Sequence, residues 1–167
     1  MEIADSTGDI EPTVEARSAL AQAKLLLGEP ATALAVAAVK HDPPYPTEEP
    51  ALRLLEGLAL LELHHVDKAV RAFSAAVTAA DELLVLADSN VIALQARALA
   101  LSGLVVATGN PARATNAAQA FTRACAVTRA TGVVADIRRP CETIASHDQA
   151  GILADVRARL DGTSDVH

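Results

Sequence analysis

Aromatic residues are scarce in this chain of 167 residues, which contains one Tyr, two Phe and no Trp although 51% of its residues are hydrophobic. Alanine is the most frequent apolar residue, followed by leucine and valine. Alanine is the best helix former because it has no side-chain entropy to lose, and its small side chain lets neighbouring helices approach closely. The composition therefore predicts a domain of closely packed α-helices.

Positive charge is also in deficit. The chain has 14 Lys and Arg against 21 Asp and Glu, a net charge of −7 and an isoelectric point near 5.1. This balance does not favour binding to nucleic acid or to an anionic membrane surface. The most apolar run, residues 91–107, is interrupted by Gln95 and Arg97, which favours a buried helix over a membrane span. We therefore expect no nucleic-acid partner and no membrane partner.

Cysteine is limited to Cys125 and Cys141, and their spacing is not that of a zinc knot or a disulfide scaffold. The acidic, polar start of the chain has no signal-peptide pattern. Both features favour a reduced, cytoplasmic location. The sequence also contains no phosphate-binding loop of the GxxxxGK[ST] type. We therefore predict no metal and no cofactor.

Turn and cap residues divide the chain into eight helical segments, and no segment alternates with period two as a strand would. Gly109-Asn110-Pro111 is typical of one helix ending and the next beginning. Thr47 is a candidate N-cap within the proline-rich linker 41–50, and Ser146 to Gln149 matches a capping box. The predicted helices cover 12–28, 29–41, 48–63, 67 to the eighties, 90–108, 111–130, a seventh element interrupted at Arg138-Arg139-Pro140, and 146–160. We expect one domain over 12–161 between flexible tails, 1–11 and 162–167.

One helical pair carries a recognisable pattern of residue sizes. Gly57, Leu60, Ala69, Phe73 and Ala76 alternate small, large, small, large and small. This pattern resembles the tetratricopeptide repeat (TPR), in which the small residues give room for neighbouring helices and the large residue fills the gap between them.

This pair is the second copy of the pattern; a third copy has Ala117, Phe121 and Ala124, and a weaker first copy has Ala21 and Ala33. The resemblance covers about residues 13–131 and implies a right-handed solenoid of about three helical hairpins closed by a C-terminal capping helix. The alanine-rich style is similar to the repeat arrays of actinobacterial signalling ATPases and LuxR-type regulators.

The resemblance also implies a binding surface, because members of this family recognise ligands on the inner face of the first helix of each hairpin. The corresponding residues here form a largely apolar groove: Ala51, Leu54, Leu58, Leu61, Glu62, Ala96, Leu99, Gly103, Val106 and Ala107, with Glu15, Ser18, Gln22, Leu25 and Leu26 in the first copy. An apolar groove implies an apolar helical or extended segment as ligand. The alternative is that the chain's own ends or a second subunit cover this face.

We therefore expect a non-catalytic protein–protein interaction domain, an adaptor or scaffold with no catalytic residues, whose partner is a protein, a peptide or a second copy of the chain. One alternative is the sensor arm of a signal-transducing ATPase or transcription regulator. Another is a small enzyme using Cys141 with His147, or the adjacent His64 and His65, and a third is a self-assembling module. We interpret His64 and His65 as a solvated bend, since neighbouring histidines point in different directions.

Overall fold

The computed structural model describes residues 14–39, 46–127 and 131–162, and the side chains at 14–15, 131–136 and 159–162 lie outside this description. Eight α-helices and no strand occur within these ranges, which confirms the all-α prediction. The helices are α1 (Val14–Leu26), α2 (Pro30–Ala37), α3 (Glu49–Glu62), α4 (Val66–Leu86), α5 (Val91–Thr108), α6 (Ala114–Val127), α7 (Thr131–Ser146) and α8 (Ala154–Gly162), with a 3₁₀ turn at Pro111–Arg113 before α6. The predicted tails 1–11 and 162–167 lie outside the described residues, except for Gly162, which is the last residue of α8.

The predicted signals at both ends of α5 are present in the structure. The Asn90 side chain accepts a hydrogen bond from the backbone N–H of Ala93 at 3.0 Å and caps the helix. Gly109 ends it in the left-handed conformation, with φ of 61°. Asn110 then accepts from the backbone N–H of Ala112 at 3.0 Å and opens the next turn. Such caps satisfy backbone groups that a helix end leaves without an intrahelical partner.

The cap predicted at Thr47 is wrong. Residues 46–48 form a turn, Glu48 occupies the cap position without a side-chain hydrogen bond, and α3 begins at Glu49. Pro50 in the first turn explains the start, because its fixed φ suits a helical residue and its missing N–H would have no partner there.

The interruption predicted at Pro140 is also wrong, because α7 runs through it without a break. A proline inside a helix costs about 3 kcal/mol. Ile137 and Ile144 flank it and are 2% and 0% exposed. Burying two isoleucines contributes about 3–6 kcal/mol, which offsets that cost. Tertiary burial therefore overrides the local signal.

The capping box predicted at residues 146–149 does not form. The Ser146 hydroxyl donates to the Thr143 carbonyl at 2.7 Å. The Asp148 carboxylate instead accepts from the backbone N–H groups of Ile152 and Leu153, at 3.0 and 2.7 Å. The last helix consequently begins later than predicted, at Ala154.

The first six helices pack in chain order, each on the next, and two of them occupy the middle of the molecule. α3 also contacts α1, α5 and α7, while α5 also contacts α3 and α7; α8 packs on α6. This explains why the sequences of α3 and α5 are apolar nearly all round. α5 is long and apolar enough to cross a membrane, but 56% of it is buried inside the protein.

Candidate functional site

The residues that carry the repeat pattern lie in the core. Ala69, Phe73 and Ala76 of α4 are fully buried, and Leu60 of α3 is 4% exposed. A Cβ atom built on Gly57 would lie 2.5 Å from two carbons of the Phe73 ring, so the ring rests directly on the backbone of α3. In the next helical pair, Ala117, Phe121 and Ala124 are also buried, at 0%, 1% and 1% exposure. These side chains hold helices together and are not accessible to a partner.

Most of the predicted groove residues on α3 and α5 are buried. Leu54, Leu58, Leu61, Ala96 and Leu99 are between 2% and 6% exposed. Ala51, Glu62, Val106 and Ala107 are half-buried. We call the surface of these nine residues the inner face.

α7 packs against α5 and α3, the two helices that carry the inner face. Ile137, Cys141 and Ile144 of α7 lie on one side of the helix and are 2%, 2% and 0% exposed. They belong to the same core cluster as Leu54, Leu58, Leu61 and Leu99. A helix of the chain itself thus packs against the two helices on which the ligand-binding groove was predicted.

Gly103, which the repeat pattern assigned to the groove, packs against α4 instead. A Cβ built on Gly103 would lie 2.6 Å from two carbons of the Phe73 ring. The residue therefore serves the contact between α4 and α5. In the first helical pair, Ser18, Gln22 and Leu25 are half-buried and Leu26 is exposed, whereas the Glu15 side chain lies outside the described residues.

A polar cluster lies at the end of α7, beside the inner face. His147 Nε2 is 3.1 Å from Glu62 Oε1 at the end of α3. The His147 ring also meets the His64 ring edge to face, with centroids 6.0 Å apart. His64 has a left-handed backbone, with φ of 57°, in the bend between α3 and α4. The contact between His147 and Glu62 links the end of α7 to α3, a connection over 85 residues that the sequence pattern did not indicate.

The described histidines and cysteines have distinct positions in the structure. His65 is exposed at the start of α4, next to His64 in the bend. Across the described part of the chain, no three His, Cys, Asp or Glu side chains gather in a way that could hold a metal ion. Cys141 is buried in the apolar stripe of α7, while His147 faces Glu62. Cys125 is half-buried on α6, and burial raises the pKa of its thiol.

Comparisons with protein-family profiles, with curated proteins and with solved structures give no match to this chain. Its function must therefore be argued from its own residues.

Proposed function

We propose that this chain is a non-catalytic protein–protein interaction module, a TPR-like stack of helical hairpins whose inner face binds an apolar helix. The observation that carries the proposal is the contact between α7 and the inner face. α7 is an apolar helix with buried residues at i, i+4 and i+7, and it packs on the two helices that carry the predicted groove. Packing in chain order, with additional contacts from α3 to α1 and α5, supports the stacked arrangement.

In this proposal α7 acts as an internal occupant, and a partner helix replaces it. Its attachment includes features that favour exchange. Pro140 weakens the backbone bonding of the helix, and the link between His147 and Glu62 is a partly exposed contact. A partner that supplies a better apolar stripe than Ile137, Cys141 and Ile144 would gain the same surface. The proposal places the module in the cytoplasm, as the sequence predicts.

A peptide of residues 131–146 provides the test, because it is α7 supplied in trans. In the full chain, Ile137→Asp with Ile144→Asp puts two charges into the apolar contact and should release α7. We expect the labelled peptide to bind this variant at least tenfold more tightly than the wild type, whose inner face is already occupied. Fluorescence anisotropy measures the affinity, and circular dichroism checks that the variant remains helical.

Two controls make the result specific. Arg139→Asp changes an exposed residue of α7, so this variant should bind the labelled peptide as weakly as the wild type does. A peptide with the same two Ile→Asp changes should bind neither protein. If the unmodified peptide does not bind the variant with Ile137→Asp and Ile144→Asp, the inner face does not bind helices in trans and the proposal fails. Leu58→Asp or Leu99→Asp would not serve as tests, because both leucines are 2–3% exposed and a charge there destabilises the fold itself.

A further inference from the structure

A second surface lies on another side of α3, away from the inner face. It is a cleft of about 460 Å³ between α2 and α4, with α3 as its floor. We call it the α2–α4 cleft. Its lining residues are Leu34 and Ala38 of α2, Arg53, Glu56 and Leu60 of α3, and Lys68, Arg71, Ala72 and Ala75 of α4.

The apolar part of the α2–α4 cleft lies at its base. Leu60 is 4% exposed and Ala72 is 6% exposed, and Leu34 is half-buried beside them. At the rim, Ala38 and Ala75 are exposed. Small side chains at the rim let another backbone come close, and the base offers room for an aliphatic side chain. The shape suits a protein segment laid between two helices.

One of the three cations in the α2–α4 cleft, Arg53, is already paired with two carboxylates. Arg53 donates from Nε to Glu49 Oε1 and from Nη1 to Glu56 Oε2, both at 2.7 Å. These pairs hold Arg53 and the Glu56 carboxylate together along α3. The charge that remains for a partner therefore comes from α4.

Lys68 and Arg71 are the two remaining cations. They are exposed on the same side of α4, three residues apart, and neither makes an ion pair with any of the residues that the structure describes. The chain as a whole has a net charge of −7. Two uncompensated cations beside an apolar base are thus a local exception on an acidic protein. A carboxylate would be attracted here and repelled by most of the remaining surface.

We propose that the α2–α4 cleft binds an acidic segment of a partner protein, with an aliphatic side chain on Leu60 and Ala72 and carboxylates at Lys68 and Arg71. Charge complementarity selects this partner. A basic segment would meet two like charges at the cleft, and an uncharged apolar segment would leave both cations without a new partner. This site is independent of whether α7 leaves the inner face.

The test uses a fluorescein-labelled synthetic peptide in which two leucines are flanked by glutamates at helical spacing, titrated into the full chain. Matched peptides carry glutamine or lysine in place of glutamate. We expect the glutamate peptide to bind at least tenfold more tightly than the glutamine peptide, and 0.5 M NaCl to weaken its binding strongly. The double change Lys68→Glu with Arg71→Glu should reduce its affinity at least tenfold. Arg113→Glu with Arg157→Glu is the control, since it changes the net charge equally at exposed residues elsewhere.

Several outcomes would overturn the proposal. They are no binding of the glutamate peptide, equal binding of the glutamine peptide, or unchanged binding by the Lys68/Arg71 variant. If that variant unfolds, the milder Lys68→Gln with Arg71→Gln provides the same comparison. Light scattering of the protein alone reports on a second copy as occupant: a dimer that Lys68→Glu with Arg71→Glu abolishes would refute a separate partner. Binding that emerges only after Glu2, Asp5, Asp9 and Glu11 are changed to glutamine would assign the cleft to the chain's own acidic segment and would also overturn it.

Discussion

The ring of Phe73 lies directly against the backbone of Gly103, so closely that a Cβ at position 103 would come within 2.6 Å of two ring carbons. Gly57 approaches the same ring from α3, where a Cβ would come within 2.5 Å. A single side chain of α4 therefore fills the space between α3 and α5, the two helices that form the inner face. The positions of these two helices therefore depend on the absence of a side chain at Gly57 and at Gly103.

The substitution Gly103→Ala tests this contact. In an ordinary helix interior it would stabilise the protein by about 0.5–1 kcal/mol. Here the added methyl group meets a fully buried ring that has no room to move, and overpacking of this kind costs about 1–3 kcal/mol. We expect a net loss of about 1 kcal/mol, and at most about 2.5 kcal/mol, in the free energy of unfolding, measured by urea denaturation.

The control for Gly103→Ala is the same change in a Phe73→Leu background. Leucine has no ring to meet the new methyl group, so the loss caused by Gly103→Ala should become smaller or change sign. A double-mutant cycle isolates this coupling. Equal losses in both backgrounds would show that the Phe73 ring is not the source of the cost.

Gly109→Ala should destabilise the protein for a different reason. Gly109 ends α5 with a φ of 61°, and nothing lies within 4 Å of the place where a Cβ would be. The cost is therefore one of backbone conformation, about 1–2 kcal/mol for alanine in the left-handed region. Gly109→Asn should recover part of it, because asparagine tolerates this conformation better. Thermal unfolding of the two variants compares them, and an alanine variant as stable as the wild type would contradict the assignment.

The signals that act within a few residues allowed most of the fold to be predicted. Asn90 and the Gly109-Asn110-Pro111 sequence mark helix ends through contacts with their immediate neighbours, and the structure follows them. The packing of Phe73 was also visible, because the sizes of Gly57 and Phe73 complement each other. Capping signals were not sufficient everywhere, because the caps predicted at Thr47 and at residues 146–149 do not form.

Features that depend on distant contacts were missed. The sequence indicates a helix break at Pro140, but Ile137, Cys141 and Ile144 have the spacing of a helix stripe that only a surface such as the inner face can bury. The sequence alone left open whether that face was covered, and nothing local linked it to residues 131–146. The sequence did not indicate the α2–α4 cleft for the same reason, since residues of three helices form it.

Asp148→Ala should loosen the connection between α7 and α8. The Asp148 carboxylate holds the backbone N–H groups of Ile152 and Leu153 just before α8, and loss of a comparable helix cap costs about 0.5–2 kcal/mol. Hydrogen exchange should accelerate at these two amides more than in the middle of α5. Asp155→Ala, at an exposed residue of the same region, is the control. Unchanged exchange at residues 152 and 153 would mean that the carboxylate does not anchor them.

Cys125 should react slowly with thiol reagents near neutral pH. Burial raises the pKa of its thiol, so the reactive thiolate forms at a higher pH than in an exposed cysteine. Its labelling rate with an iodoacetamide reagent, followed by mass spectrometry of the modified peptide, should be lower at pH 8 than that of the same cysteine in urea-unfolded protein. The difference in Cys125 labelling rate between folded and unfolded protein should become smaller as the pH rises through the pKa of the folded thiol, because the folded protein then also carries the thiolate. Equal rates at pH 8 would contradict the shift.

Cys141 should report directly on the attachment of α7. It is 2% exposed in the stripe that faces the inner face, so a reagent reaches it when α7 moves away or the whole protein unfolds. His147→Ala removes the contact with Glu62, which is partly exposed and contributes about 0.2–1 kcal/mol. We expect Cys141 labelling to accelerate by up to about fivefold, with little change in the urea midpoint and none in Cys125 labelling.

Arg139→Ala, on the exposed side of α7, should leave the Cys141 rate unchanged. If His147→Ala also has no effect on that rate, the contact with Glu62 does not hold α7 in place. If Cys125 labelling rises equally, the variant has loosened more than the contacts of α7, since Cys125 lies on α6.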